Sequence, residues 1–331
     1  MKIAVVGQKT PDSRARLICD GLSQLGIENE IVFTLKPSSK YLSFLIVLLE
    51  QHIGSFAIWR QSYLLKQVNT FDFLINTEQE LHPYVVEQLR RRCIKVLFWF
   101  PDGIGNVSDR QYIFTAPYDY IFVTDPIFAQ SLRDLYGRPA YYIPESFNPS
   151  WHISSEDYGT DKTCIVVGNY YPSRLSILNR LLDDGIPLQL YGNPPKGWVA
   201  KELSQRFTFC GPLYMNLKAD AFRKAAVVLN LSHPYDVNST NQRLFEAAGA
   251  GGLIIANRID AINELFVDGE EILTFADYNE LLAKIKFVFD NHEIAKSMAE
   301  RARNRALISH QISHRLKTIL EISGFNFDST N

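Results

Sequence analysis

The chain has 331 residues, more than one hydrophobic core usually serves, so two domains of ordinary size are expected. Hydrophobic residues make up 46%, charged residues 21%, and the formal net charge is −2. That balance fits a globular protein with a full core and excludes both a disordered chain and a basic nucleic-acid footprint.

The N-terminus, MKIAVVGQKT, reads as a strand entering a turn and lacks the long apolar core of a signal peptide. The greasiest run, YLSFLIVLL (41–49), is flanked by Lys40 and Glu50 and is too short to span a bilayer. Cys19, Cys93, Cys164 and Cys210 lie far apart, form no metal-ligand spacing, and each sits in or beside an apolar run. They read as buried free thiols, and a cytoplasmic location is expected.

Short apolar strands then alternate with amphipathic helices, the pattern of parallel sheets built from βαβ units. In the first half, strands are expected at 2–6, 29–33, 71–76, 94–100, 119–124 and 140–144, with helices at 12–25, 37–50, 52–68, 80–92 and 126–136. The Arg90–Arg92 run closes a helix at its negative end. A rarer reading joins it to 41–49 as a patch for peripheral membrane contact or a lipid-linked acceptor.

The polar, aperiodic stretch FNPSWHISSEDYGTDK (147–162) reads as a linker. Domains are therefore expected at 1–150 and 151–308, with 309–331 as a terminal helix packing back across them. The second half restarts with strands at 163–168, 187–192, 207–211, 226–232, 253–257 and 271–275, and is helical after 277.

Within it, NSTNQRLFEAAGAGGLIIAN (238–257) is laid out as a loop, a helix and a strand. Ser239 or Thr240 can cap the helix, and the cluster Gly249, Gly251 and Gly252 ends it. The unpaired N–H groups at 239–242 (Ser239, Thr240, Asn241 and Gln242) carry partial positive charge suited to a phosphate. Arg243 adds a cation on the first turn, and Glu246 shares its face, where a carboxylate can accept from two vicinal hydroxyls. Diphosphate at the tip and ribose one turn in would make a nucleotide-sugar site. The other reading is an ordinary Arg–Glu surface pair.

With these loops placed, the second half resembles the glycosyltransferase group 1 superfamily, and most its CgeB-like, spore-maturation branch. The matching pieces run in order through VVGNYYPSRLSIL (166–178), LYGN (190–193), FCGPLYMNLKADAFRKAAVVLNLS (209–232), NQRLFEAAGAGGLIIAN (241–257) and SHQISHRL (309–316). Upstream, VLFWFPDG (96–103) and YYIPESFNPSWH (141–152) are similar too. The resemblance implies a GT-B fold: two Rossmann-like α/β domains facing across a cleft, with a C-terminal helical tail.

The resemblance also assigns residues. Gly168 and Asn169 form the turn after the first strand of the donor domain, and Arg174 matches the basic residue that reaches the donor diphosphate. Cys210, Gly211, Pro212 and Leu213 fall where the nucleobase is held by backbone groups, with Tyr214 placed to stack on it or to sit in the core. Glu246 matches the ribose carboxylate. Many retaining members carry a glutamate eight residues earlier, but here that position is Asn238, with Asp236 nearby in the same loop. An asparagine can bond a sugar hydroxyl but cannot act as a base, so the stereochemical outcome stays open.

In the first half, Asp102 follows VLFWF at a strand end; it is a candidate base or sugar ligand, or an Asx-turn residue before Gly103. Gly7 and Gln8 line the same side by position. His82, His233 and His310 read as structural or solvated.

These readings point to transfer of a sugar from a nucleoside-diphosphate donor to a hydroxyl acceptor, with no metal and no cofactor. Alternatives are a nucleotide-sugar epimerase of the same fold and an inactive binding scaffold. A Rossmann dehydrogenase is disfavoured because the first turn, GQKTPD, lacks GxGxxG.

Overall fold

A computed structural model of the chain describes residues 1–8, 10–33, 40–68, 71–100, 102–235 and 238–325. The chain divides into one unit of Met1–Pro144 with Ile312–Asn331 and a second of Glu145–Gln311.

The first unit runs β1 (Lys2–Gly7), α1 (Arg14–Gln24), β2 (Glu28–Phe33), α2 (Lys40–His52), α3 (Gly54–Gln61), α4 (Tyr63–Gln67) and β3 (Phe73–Asn76). It continues with α5 (Pro83–Arg90), β4 (Lys95–Phe100), α6 (Tyr112–Thr115), β5 (Tyr120–Val123), α7 (Pro126–Asp134) and β6 (Ala140–Tyr142). Its sheet is parallel throughout, in the order β2-β1-β3-β4-β5-β6. The strands expected from apolar runs are all present. The single helix expected over 52–68 breaks at Ser62 into α3 and α4. Of the helix expected at 37–50, residues 37–39 lie outside the described residues.

The second unit runs β7 (Asp161–Val167), α8 (Pro172–Asp183), β8 (Leu188–Tyr191), α9 (Lys201–Ser204), α10 (Met215–Lys224), β9 (Ala225–Asn230), α11 (Gln242–Ala250), β10 (Ile254–Asn257), α12 (Asp260–Asn263), β11 (Leu273–Phe275), α13 (Tyr278–Asp290) and α14 (His292–Ser309). The last helix, α15 (Ile312–Ile322), belongs to the first unit, where Ile312 and Leu316 pack against Gly21 of α1. The second sheet is also parallel, in the order β11-β10-β9-β7-β8. Residues 207–211 do not form the expected strand; they make isolated bridges, Leu190 with Phe209 and Gly192 with Gly211.

Side chains alternate across β7 because strand residues have period two. Cys164 and Val166 join one core and Ile165 and Val167 another, so both faces of this sheet are covered by helices. In each unit the strand order reverses once, between β1 and β3 in the first and between β7 and β9 in the second. In open parallel sheets, ligands bind beyond the carboxyl ends of the strands at that reversal. Among the described residues, no helix is long and apolar enough to cross a membrane.

The 147–162 segment is not a solvated linker. Phe147, Asn148, Trp151, His152 and Tyr158 are all buried in the second unit, and the Phe147 ring fills the space where Gly249 of α11 has no Cβ. Large aromatic side chains bury too much surface to be left in water, and they fasten this stretch down.

Candidate nucleotide and catalytic sites

At the reversal of the second sheet, the turns after β7 and β8 are knitted together by backbone. Gly168 N–H donates to Tyr191 O at 2.9 Å, and Gly192 N–H donates to Gly211 O at 2.8 Å. Gly168 has φ of 129° and Gly192 φ of 136°, a region L side chains rarely enter. A Cβ on Gly192 would collide with the carbonyl oxygen of Gly168, and one on Gly168 with the Arg243 guanidinium. Gly168 and Arg243, expected at the donor site from distant stretches of sequence, are thus in contact.

Arg243 lies on the first turn of α11. The cap of that helix is Asn241, not Ser239 or Thr240, and its side chain makes no capping bond. Thr240 and Ser239 are buried one and two residues further out. Among the described residues, the buried Asn241 Oδ1 and Thr240 Oγ1 have no hydrogen-bond partner. Buried polar atoms without partners are rare and call for an explanation, which an oxyanion at this open, positive helix end would supply.

One turn in, Glu246 is 2% exposed, which rules out the surface-pair reading. Its Oε1 accepts from Lys218 Nζ at 3.0 Å and Gln242 Nε2 at 2.9 Å, with His152 Nε2 at 3.4 Å. Burial pushes this carboxyl up, but the Lys218 ammonium and the His152 ring outweigh it and hold the acid ionised, well below the usual carboxylate range. Neither Lys218 nor His152 is among the residues expected from sequence. Lys218 had a signal: it sits four residues before Phe222 on the buried stripe of α10, where a lone lysine needs a partner. His152 was hidden inside the stretch read as linker.

The other expected residues are placed as follows. Arg174 is 5% exposed, and its guanidinium donates to the backbone carbonyls of Asn169 and Leu231, tying the turn after β7 to the end of β9. Asn238 accepts from Ala261 N–H at 3.0 Å and anchors α12. Asp236 lies outside the described residues. Gly211 bridges Gly192 just past β8, Pro212 and Leu213 follow it, and Tyr214 is 47% exposed, not a core residue. Cys210 is exposed as well, unlike the three buried thiols, because it lies on this loop and not in a strand.

At the reversal of the first sheet, a pocket of about 340 Å³ is lined by residues following β1 (Gln8, Thr10, Arg14), β3 (Thr77–Glu80) and β4 (Asp102). Gly7 packs tightly on Ala15 and Thr77 beneath it. Asp102 reaches solvent from the rim, yet the surrounding protein displaces enough water to raise its carboxyl above the usual range, with Arg14 pulling partly back. The Arg14 guanidinium lies 5.5 Å from the Trp99 ring centroid.

The histidines and arginines read as structural are engaged structurally. His82 caps α5, accepting from Tyr84 N–H at 3.1 Å; His233 Nδ1 accepts from Tyr235 N–H at 3.3 Å; His310 Nε2 is 2.9 Å from Leu265 O. Arg90 pairs with Asp119 at 2.9 Å, Arg91 with Glu87 at 3.5 Å, and Arg92 donates to Leu65 O. Among the described residues no cluster of three or more His, Cys, Asp or Glu is placed to hold a metal ion.

Residues 174–321 match the family model described as "Glycosyl transferase-like". No curated protein matches the chain. Among solved structures, Anabaena HepE in complex with UDP-glucose aligns with TM-score 0.71 at 13% identity, covering 98% of this chain and 100% of that one. Sucrose-phosphate synthase from Thermosynechococcus elongatus aligns with TM-score 0.67 at 14% identity, covering 97% and 98%. A glycosyltransferase from Rickettsia africae aligns with TM-score 0.63 at 12% identity, covering 97% of each. The chain has the GT-B fold, and by the family match over its second half it is a glycosyltransferase.

Proposed function

We propose that the protein transfers a glycosyl group from a nucleoside-diphosphate sugar to a hydroxyl acceptor, without a metal ion. The observation that carries this is the buried, ionised Glu246 one turn inside a helix whose N-terminal polar atoms lack partners and whose first turn bears Arg243. Glu246 takes the ribose hydroxyls, and the α11 amides, Thr240 and Arg243 take the diphosphate. The 211–214 loop takes the base, with exposed Tyr214 stacking on it. HepE, whose structure was solved with UDP-glucose, supports this class of donor.

The catalytic demand in such a transfer is to stabilise charge on the departing diphosphate, which fixed positive groups meet without metal. Arg174 serves here by holding the Asn169 turn, and Asn238 by holding α12. Asp102 is assigned to the acceptor: its raised carboxyl suits a base that must lose and regain a proton. The family match and fold do not distinguish a CgeB-like branch, and the proposal does not depend on it.

The test is calorimetry and donor hydrolysis with UDP-, GDP-, dTDP- and CMP-sugars, with and without EDTA. Tight binding and turnover of one donor, unchanged by EDTA, is expected. Binding without any turnover or transfer would leave a scaffold, and interconversion of the donor sugar would mark an epimerase.

A further inference from the structure

We propose that Lys218 and His152 are positioning residues that grip one oxygen of the Glu246 carboxylate and thereby present the other to the ribose of the donor. This rests on the nucleotide reading of the site given above.

The grip comes from three separate elements. Lys218 projects from α10, Gln242 from the start of α11, and His152 from the turn that precedes β7. All of their contacts fall on Oε1. Among the described residues Oε2 accepts from nothing, so its two lone pairs remain for a pair of vicinal hydroxyls.

His152 is itself fixed. Its Nδ1 lies 3.1 Å from the Asn148 carbonyl, which can only accept, so that nitrogen carries hydrogen and Nε2 faces Glu246 Oε1 at 3.4 Å, where it attracts the carboxylate as an ion pair when the ring is protonated. The turn is braced by Trp151 N–H donating to Asn148 O at 3.0 Å and by Ser150 donating to Asn148 Oδ1 from its hydroxyl at 2.8 Å.

An unsupported buried carboxylate takes up a proton instead of staying charged. The titratable groups facing Glu246 are Lys218 and His152, and burial is the force they oppose. Removing Lys218 therefore lets the carboxyl rise toward neutrality. Ribose binding then becomes weaker and, in addition, sensitive to acid.

The experiment titrates UDP and GDP into the parent chain, Lys218→Met, Lys218→Arg, His152→Gln and Glu246→Gln, from about pH 5 to about pH 8. Affinity is read as the ratio of variant to parent at each pH, which cancels titration of the diphosphate itself. Lys218→Met should bind about ten- to a hundredfold more weakly at neutral pH and lose more as pH falls, while Lys218→Arg restores a flat ratio. A flat ratio near one for Lys218→Met overturns the proposal, as does Lys218→Arg failing like Lys218→Met with a flat ratio, since shape alone would then matter. Should Lys218→Met not fold by circular dichroism, His152→Gln decides: a loss of affinity that deepens in acid supports the grip, and parent-like binding overturns it. Glu246→Gln separates the layers. Parent-like binding by Glu246→Gln defeats the ribose assignment itself, whereas weak binding by it alone, with Lys218 and His152 variants unaffected, defeats only the grip.

Discussion

Glu246 lies past the end of β9, at the reversal of its sheet, and Asp102 past the end of β4, one strand beyond the reversal of the other, yet their acidities are driven in opposite directions. Glu246 is the more deeply buried and is nevertheless the more firmly ionised. The Lys218 ammonium and the His152 ring on one oxygen overcome desolvation there, whereas a single arginine beside Asp102 does not. Burial sets the size of the penalty; the number and closeness of opposite charges set its sign. One environment holds a carboxylate charged, and the other favours its protonated form.

The sharpest way to break this contrast is Asp102→Asn. With its charge gone and its shape kept, transfer or donor hydrolysis should fall roughly 10²–10⁴-fold while nucleotide affinity stays at the parent value. In the parent, the rate should be lost as pH falls through the raised carboxyl, so the acid limb lies above the ordinary carboxylate range. Full activity in the variant would reduce Asp102 to a turn residue.

Next in size, Glu246→Ala takes the carboxylate away from the buried Lys218 ammonium and should cost about 3–5 kcal/mol of unfolding free energy, measured by denaturant titration. Because the folded carboxyl is depressed, its stabilisation is present above the unfolded value near 4.3, and is lost only as pH falls below the usual range. Arg243→Ala should weaken nucleoside-diphosphate binding by about 1.5–3 kcal/mol and leave the fold intact; calorimetry beside thermal melting checks both halves. The smallest effect concerns stability at Asp102. A raised folded pKa means that ionisation opposes folding at neutral pH, so Asp102→Asn should melt slightly higher at pH 7, a gain that vanishes in acid. A lower melting temperature would show that the charge is used structurally.

Much of this was legible in the sequence because period-two apolar runs and Gly-punctuated helices are local signals. The strands from β1 to β11 fall on the apolar runs, and α11 ends at Gly251 with the left-handed φ of 81° that its glycine implies. What the sequence hid was set by distant contacts. FTFCG has the composition of a strand, but it meets β8 only at isolated bridges, and so Cys210 stays in water. The stretch around His152 is polar on average, while its Phe147 and Trp151 decide its fate by docking into the second unit. The resemblance assigns Arg174 to the diphosphate, and what no local signal shows is that its guanidinium also donates to the carbonyl of Leu231, far along the chain. The N-cap of α11 is Asn241, and Ser239 and Thr240 lie buried ahead of it.

The contact between Gly168 and Arg243 carries a consequence for how this site can change over generations. A methyl group at position 168 meets two obstacles, the guanidinium of Arg243 and a φ of 129° that side chains avoid. Removing Arg243 lifts the first obstacle and leaves the second, so Gly168→Ala should be more harmful in the parent than in an Arg243→Ala background. The two positions are therefore ordered in time. A lineage that abandons the arginine can afterwards explore position 168, while one that begins at the glycine meets a clash before it meets any benefit.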